Sequence, residues 1–113
     1  RVVLSHAEEA GHLRRLGVAV MDGERVSEIV EKPESPPSKY AVTGIYFYDA
    51  QVWDVLPTLE PSGRGELEIT DVNNWYVGRG EMAADVVGGF WGDAGESIEA
   101  YYEVNDFVRR DRA

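Results

Sequence analysis

Residues 31–49 read EKPESPPSKYAVTGIYFYD. A charged pair, Glu31 and Lys32, is stopped by Pro33, and a proline-rich loop leads into a run of strong β character from Tyr40 to Tyr48. Ala41, Thr43, Ile45 and Phe47 alternate with Val42, Gly44, Tyr46 and Tyr48, so both faces of this strand are largely apolar or aromatic. That pattern belongs to a strand inside a sheet covered on both sides, which predicts α/β layering rather than a half-wet hairpin. A glycine in mid-strand, Gly44, predicts close approach of another group to the backbone. A buried strand beside an exposed charged pair suggests the floor and rim of a small-molecule site.

The rest of the composition narrows the class. A chain of 113 residues with 43% hydrophobic content is expected to form one domain, spanning 1–113, with a real core. No apolar run approaches the length of a membrane span. There is no cysteine, so disulfides and thiolate metal sites are absent. The net charge of −10 argues against nucleic acid and anionic membranes as partners. No signal peptide is visible, and the expected compartment is the cytoplasm. The chain opens on Arg1 with VVLS already strand-like, which leads us to expect further sequence upstream.

Working outward, Arg1 to His6 reads as a strand and Ala7 to Arg15 as a short helix weakened by Gly11. Gly17–Met21 and Arg25–Val30 form a hairpin around Asp22-Gly23. In its second strand Val26, Glu28 and Val30 share one face, and Ser27 and Ile29 the other. The hairpin delivers Glu31 and Lys32 at a strand end, where α/β folds commonly present site residues. Ala50–Leu56 reads as a helix capped by Asp49, with Val52, Val55 and Leu56 as its apolar stripe, Trp53 at the border and Pro57 as its stop. A second helix covers about Thr70 to Arg79, with Ile69, Val72, Trp75 and Tyr76 as core. Met82–Val87 is a strand candidate. Ser97 caps a last helix, Ile98–Arg109, whose expected inward face is Ile98, Tyr101, Tyr102, Asn105 and Val108. His6 and His12, each isolated, read as surface residues.

Taken alone, the chemical candidates are modest. Adjacent strand residues face opposite ways, so Glu31 and Lys32 are not expected to bond each other; one suits a sugar hydroxyl and the other a phosphate. An exposed ion pair at a hairpin end is the commoner meaning of such a pair. Asp93, between Gly92 and Gly95, suits Mg²⁺, which takes a few carboxylates with phosphate oxygens and water; a turn aspartate is the commoner reading. The glycines match neither G-x-G-x-x-G nor G-x-x-x-x-G-K-[ST]. With 21 acidic residues, the grouping of Glu66, Glu68 and Asp71 carries little weight.

Three stretches in order change that balance: residues 16–49, LGVAVMDGERVSEIVEKPESPPSKYAVTGIYFYD; residues 61–80, PSGRGELEITDVNNWYVGRG; and residues 89–108, GFWGDAGESIEAYYEVNDFV. Together they resemble the second half of glucose-1-phosphate thymidylyltransferases, members of the sugar-1-phosphate nucleotidyltransferases. The resemblance implies a Rossmann-like layered α/β fold with a mixed sheet, incomplete here because the first half is absent. It implies Mg²⁺-dependent transfer of a nucleotidyl group, dTMP, from a nucleoside triphosphate to glucose 1-phosphate, with loss of pyrophosphate. It further implies that Gly17 and Val42 line the sugar pocket and that Glu31 binds sugar hydroxyls. Lys32 would contact the sugar-side phosphate, and Asp93 would be one of two magnesium carboxylates. Lys32 and Asp93 are thus the candidate catalytic residues, and a homo-oligomer is implied for the complete protein. The sequence departs from the family where Leu16 replaces an aromatic residue and where G-D-A-G-E stands for L-D-T-G-T. The glycine-rich G-x-G-T-R-L loop, its lysine and the first metal aspartate do not occur in these residues. The expectation is therefore a sugar-binding portion inactive alone; the alternative is a stand-alone, non-catalytic sugar-phosphate-binding or assembly module.

Overall fold

A computed structural model describes residues 1–111. The elements in order are β1 (Val2–His6), α1 (Ala10–Leu13), β2 (Gly17–Asp22), β3 (Arg25–Glu31), β4 (Tyr40–Tyr46), α2 (Val52–Val55), α3 (Ile69–Gly78), β5 (Ala84–Val86) and α4 (Ile98–Asp111). The five strands form one mixed sheet in the order β3-β2-β4-β1-β5, with β1 and β5 parallel and the other neighbours antiparallel. The Tyr40 run is thus the central strand, though it ends at Tyr46 rather than Tyr48.

Two irregularities correct the expected side-chain alternation. The β2–β3 register shifts between Val20 and Met21, inserting an extra residue at Ser27 on β3. A bulge reverses the facing of the residues beyond it, so Val26 and Ile29 both enter the same core instead of opposite faces. The β1–β4 register shifts opposite Gly44, which has φ +92°. A Cβ built at Gly44 would meet nothing within 4 Å. The glycine therefore serves the backbone turn of a bulge, not the close approach of another group. In the β2–β3 hairpin, Asp22 pairs with Arg25, so the turn residues are Gly23 and Glu24, one step later than expected. Gly23 takes φ +64°, in keeping with glycine at the first turn position.

Two apolar clusters form on the sheet. The larger joins Val2, Leu4, Ala19, Val26 and Ile29 to Val55, Val72, Tyr76 and Met82. The smaller joins Leu13 and Leu16 to Val18 and Ala41, with Trp91 packed against it. Asp49 caps the start of the α2 region by accepting the Gln51 N–H at 3.1 Å, and at Pro57 the helix tightens into a 3-10 turn, Leu56–Thr58. Cover is less complete than the sequence predicts: Ile45, Phe47 and Trp53 are exposed, as is Ile69 at the start of α3.

The last helix is the clearest correction. Ser97 caps it as expected, its hydroxyl accepting the Ala100 N–H at 3.0 Å. Ile98, Tyr101, Tyr102 and Val108, however, are exposed. The half-buried stripe is Ala100, Val104 and Phe107, one turn apart each. Phe107 stacks on Phe90 with centroids 4.1 Å apart, and Val104 packs on Gly92 so closely that a Cβ there would lie 2.8 Å from its Cγ2. Helical spacing alone does not distinguish two apolar stripes on one helix; the bare backbone at Gly92 does.

Helix α3 is locked to the sheet edge by Asn74. Its side-chain oxygen accepts the Ile29 N–H at 3.2 Å and its amide donates to the Ile29 carbonyl at 2.9 Å. The carboxamide thus acts as one rung of a missing neighbour strand along β3. Asn74→Ala removes both bonds and should lower unfolding stability by about 1–2 kcal/mol. Urea denaturation of the two proteins measures this, and equal midpoints would mean the rung contributes nothing.

Candidate functional site

Gly17 opens β2 and pairs with Glu31, the last residue of β3, so the hairpin register alone brings two candidates side by side. Val42 on the neighbouring β4 completes a small floor: a Cβ at position 17 would sit 3.4 Å from both Glu31 Oε2 and Val42 Cβ. Glycine leaves that volume open beside the carboxylate. The resulting cavity, about 250 Å³, is lined by Gly17, Glu31, Val42, Tyr46, Thr70, Trp91 and Asp93, with Arg15 at its margin. Four of the five candidate residues therefore meet in one hollow.

The fifth, Lys32, lines an adjoining cavity of about 500 Å³ together with Glu31, Thr70, Arg64 and Glu68. Strand alternation predicts Lys32 on the opposite side from Glu31. The structure corrects this: Lys32 has φ 45°, the left-handed region that side chains rarely enter, while its N–H still bonds the Leu16 carbonyl at 3.0 Å. The strand has ended and the chain rotates, so the adjacent acid and amine border one hollow. A non-glycine residue held in that conformation is a common mark of functional positions.

Glu31 and Thr70 stand between the two cavities. The buried Thr70 hydroxyl donates to Glu31 Oε2 at 2.7 Å, fixing the carboxylate while leaving Oε1 without a hydrogen bond among the described residues. The sequence marks Thr70 only as a helix start; nothing local gives it a further role, since only the docking of α3 on β3 brings it to Glu31. Arg64 is also new. Its guanidinium donates to Glu68 at 2.7 Å, and Glu68 accepts the Ser62 hydroxyl at 3.0 Å. Arg64 first, and Ser62 second, hold the Glu68 carboxyl below the usual range. The one legible signal for Arg64 is a lone cation in a glycine-flanked turn, residues 61–65. Glu60 and Asp71 line the same hollow, so Lys32 and Arg64 are two cations among four acids, and an anionic group there would be met by those two side chains.

Behind the first cavity lies a ladder of phenols. Tyr46 stacks on Tyr48 at 5.7 Å and Tyr48 on Tyr76 at 5.5 Å. Tyr48 donates to the buried Asn73 oxygen, and Tyr76 donates to Asp49 at 2.9 Å. Burial raises all three phenols, pushing Tyr76 up to about 12, where the Asp49 carboxylate adds to the effect.

Asp93 offers one carboxylate oxygen. Its Oδ1 accepts the Gly95 N–H at 2.9 Å, and Oδ2 has no partner among the described residues. No group of three or more His, Asp or Glu side chains among the described residues would enclose an ion. A single free carboxylate oxygen would leave an ion such as Mg²⁺ to draw its other ligands from phosphate and water. Larger hollows exist, including one of about 450 Å³ around Arg1 and Asp85, but they gather no comparable set of groups. No helix among the described residues is long and apolar enough to cross a membrane.

Comparison with known proteins matches residues 3–111 to the family described as Nucleotidyl transferase. The chain is 45% identical over 97 residues to a glucose-1-phosphate thymidylyltransferase of Xanthomonas campestris pv. campestris, covering 83% of this chain and 32% of the relative. It is 46% identical over 90 residues to one from Mycolicibacterium smegmatis, covering 78% and 31%. Among solved structures, a Bacillus anthracis protein described as a glucose-1-phosphate thymidylyltransferase, in complex with a sucrose, superposes with a TM-score of 0.82 at 42% identity. That match covers 96% of this chain and 42% of the other. The chain thus spans about a third of the length of the curated relatives it matches.

The phenol ladder makes stability sensitive to alkali. An unfolded tyrosine loses its proton near pH 10, whereas folded Tyr76 keeps it to about 12. The unfolded chain then binds fewer protons, so stability should fall as pH rises through that window. Urea midpoints between about pH 9 and 12 should decline, less steeply in Tyr76→Phe; a flat wild-type profile would contradict the buried stack.

Proposed function

Because the chain belongs to the nucleotidyl transferase family, we propose that it carries the sugar-phosphate side of a sugar-1-phosphate nucleotidyltransferase, with glucose 1-phosphate as the sugar substrate. The reaction we assign to the complete enzyme transfers a nucleotidyl group, dTMP, from a nucleoside triphosphate. An oxygen of the sugar phosphate attacks the α-phosphorus, the bond to the bridging oxygen breaks, and pyrophosphate leaves. The observation that carries this reading is the meeting of Gly17, Glu31, Val42 and Asp93 in one hollow, with Lys32 and Arg64 in the next.

In this reading the sugar lies over Gly17 and Val42, and the free oxygen of Glu31 accepts its hydroxyl groups while Thr70 holds the other. A positioned carboxylate is a selective acceptor for neutral hydroxyls, because no counter-charge on the sugar is needed. Lys32 and Arg64 take the phosphate where the two cavities adjoin at Glu31 and Thr70, within reach of an ion on Asp93. Arg64 must then share its guanidinium between Glu68 and the phosphate, which its several donors permit. The protein's work is to hold the attacking phosphate in line and to neutralise its charge. Asp93 would hold Mg²⁺, which when bound offsets negative charge on the phosphates. The same cavity is expected to sit in a homo-oligomer in the cytoplasm.

Titration of the chain with glucose 1-phosphate, followed by amide chemical shifts, tests the assignment. Shifts should gather at Gly17, Glu31, Lys32 and Val42. Glu31→Ala should weaken binding about tenfold while sparing the response to inorganic phosphate. Lys32→Ala combined with Arg64→Ala should abolish the response to phosphate. Shifts confined to other surfaces, or wild-type affinity in all variants, would overturn the assignment.

A further inference from the structure

The turn that carries Asp93 is held from three directions. Within the turn, the Gly95 N–H bonds Asp93 Oδ1 at 2.9 Å and the Glu96 N–H bonds the Asp93 carbonyl at 3.1 Å. On one side Gly92 and Phe90 pack on Val104 and Phe107 of α4. On the other side the only polar tie among the described residues is Glu96, the position where the resembling family carries a threonine. Its side chain is 6% exposed, although the chain has a surplus of acids that could all stay in water. Glu96 Oε1 lies 3.6 Å from Arg15 Nη1, and Oε2 lies 3.4 Å from His12 Nε2. Oε2 forms no hydrogen bond among the described residues.

A carboxylate taken out of water is costly unless it is paired, so its burial here calls for a compensating role. Both partners belong to the α1 region: His12 lies on α1, and Arg15 comes just after it, its N–H bonded to the His12 carbonyl at 3.1 Å. Arg15 also borders the cavity that Asp93 lines. Glu96 therefore adds a polar tie to the apolar one that Trp91 makes on Leu13 and Leu16, joining the Asp93 turn to the segment leading into Gly17. The carboxylate is buried while Arg15 reaches out from solvent, so the pair differs from an ordinary surface ion pair on the acid's side alone.

We propose that Glu96 is a positioning residue: its buried carboxylate, set between His12 and Arg15, pins the Asp93 turn to α1 and so fixes Asp93 at the cavity. Its consequence for magnesium rests on the role assigned to Asp93 above; the pin itself does not.

The test is amide hydrogen exchange on the whole chain, paired with glucose 1-phosphate titration with and without Mg²⁺. In Glu96→Gln, exchange at Gly95 and at position 96 should quicken roughly fivefold while Val18 and Ile29 keep their protection. Arg15→Gln should reproduce part of the effect and Arg15→Lys should restore it, which a purely steric role would not require. Glucose 1-phosphate should bind Glu96→Gln with unchanged affinity in the absence of Mg²⁺, but the gain on adding Mg²⁺ should shrink. Unchanged turn exchange in Glu96→Gln and Arg15→Gln would overturn the pin. If exchange rises throughout Glu96→Gln, Arg15→Gln and His12→Gln, whose altered side chains are more exposed, decide by the same local amides. If the wild type ignores glucose 1-phosphate while the turn amides respond as stated, the pin stands and the reading of the cavity falls.

Discussion

The architecture depends on how α3 is fastened to β3. An edge strand offers unpaired backbone groups at a regular spacing, and Asn74 takes up one residue's N–H and C=O together. That two-point bond sets both the position of α3 along the strand and its rotation. Once Asn74 is over Ile29, Thr70 lies one helical turn back and reaches Glu31, two residues on along the strand. Asn73, next to Asn74, turns inward to receive Tyr48 from the segment after β4. Three neighbouring polar side chains of one helix thus align the carboxylate, the phenol ladder and the sheet edge. Apolar packing of Val72 and Tyr76 supplies the attraction, but it is non-directional and would tolerate other rotations.

Electrostatics then divides the site. The chain carries 21 acidic and 11 basic residues, a poor host in general for a phosphorylated ligand. Lys32 and Arg64 are the two cations of a hollow that Glu31, Glu60, Glu68 and Asp71 also line. On the function proposed above, Glu31 would stand between the hydroxyls and the phosphate of a sugar phosphate.

The apolar surfaces left uncovered also form a pattern. Ile45, Phe47, Val86 and Phe90 are all about half exposed or more. α4 meanwhile shows Ile98, Tyr101, Tyr102 and Val108 to solvent while resting on a narrow stripe. Such surfaces on an otherwise well-packed sheet accord with a chain spanning about a third of its relatives' length.

Much was legible in the residues themselves. The mixed α/β class, the central place of the Tyr40 run, the hairpin that ends on Glu31, and the Ser97 cap all derive from periodicity, turn chemistry and hydrogen-bonding capacity, which act over a few residues. The pairing of Gly17 with Glu31 was not legible: a turn at Asp22-Gly23 would set Gly17 opposite Glu28, and only the later turn and the Ser27 bulge bring it to Glu31. Other features were decided only in three dimensions. The Ser27 bulge put Val26 and Ile29 on one face; φ 45° at Lys32 brought amine and acid to one hollow; the bare Gly92 selected which stripe of α4 faces inward; and the docking of α3 recruited Thr70 and that of α1 placed His12 and Arg15 on Glu96. Local sequence determines which conformations a segment favours, whereas the partner across a contact is chosen by the packing of segments distant along the chain, and no residue's immediate neighbours encode that choice.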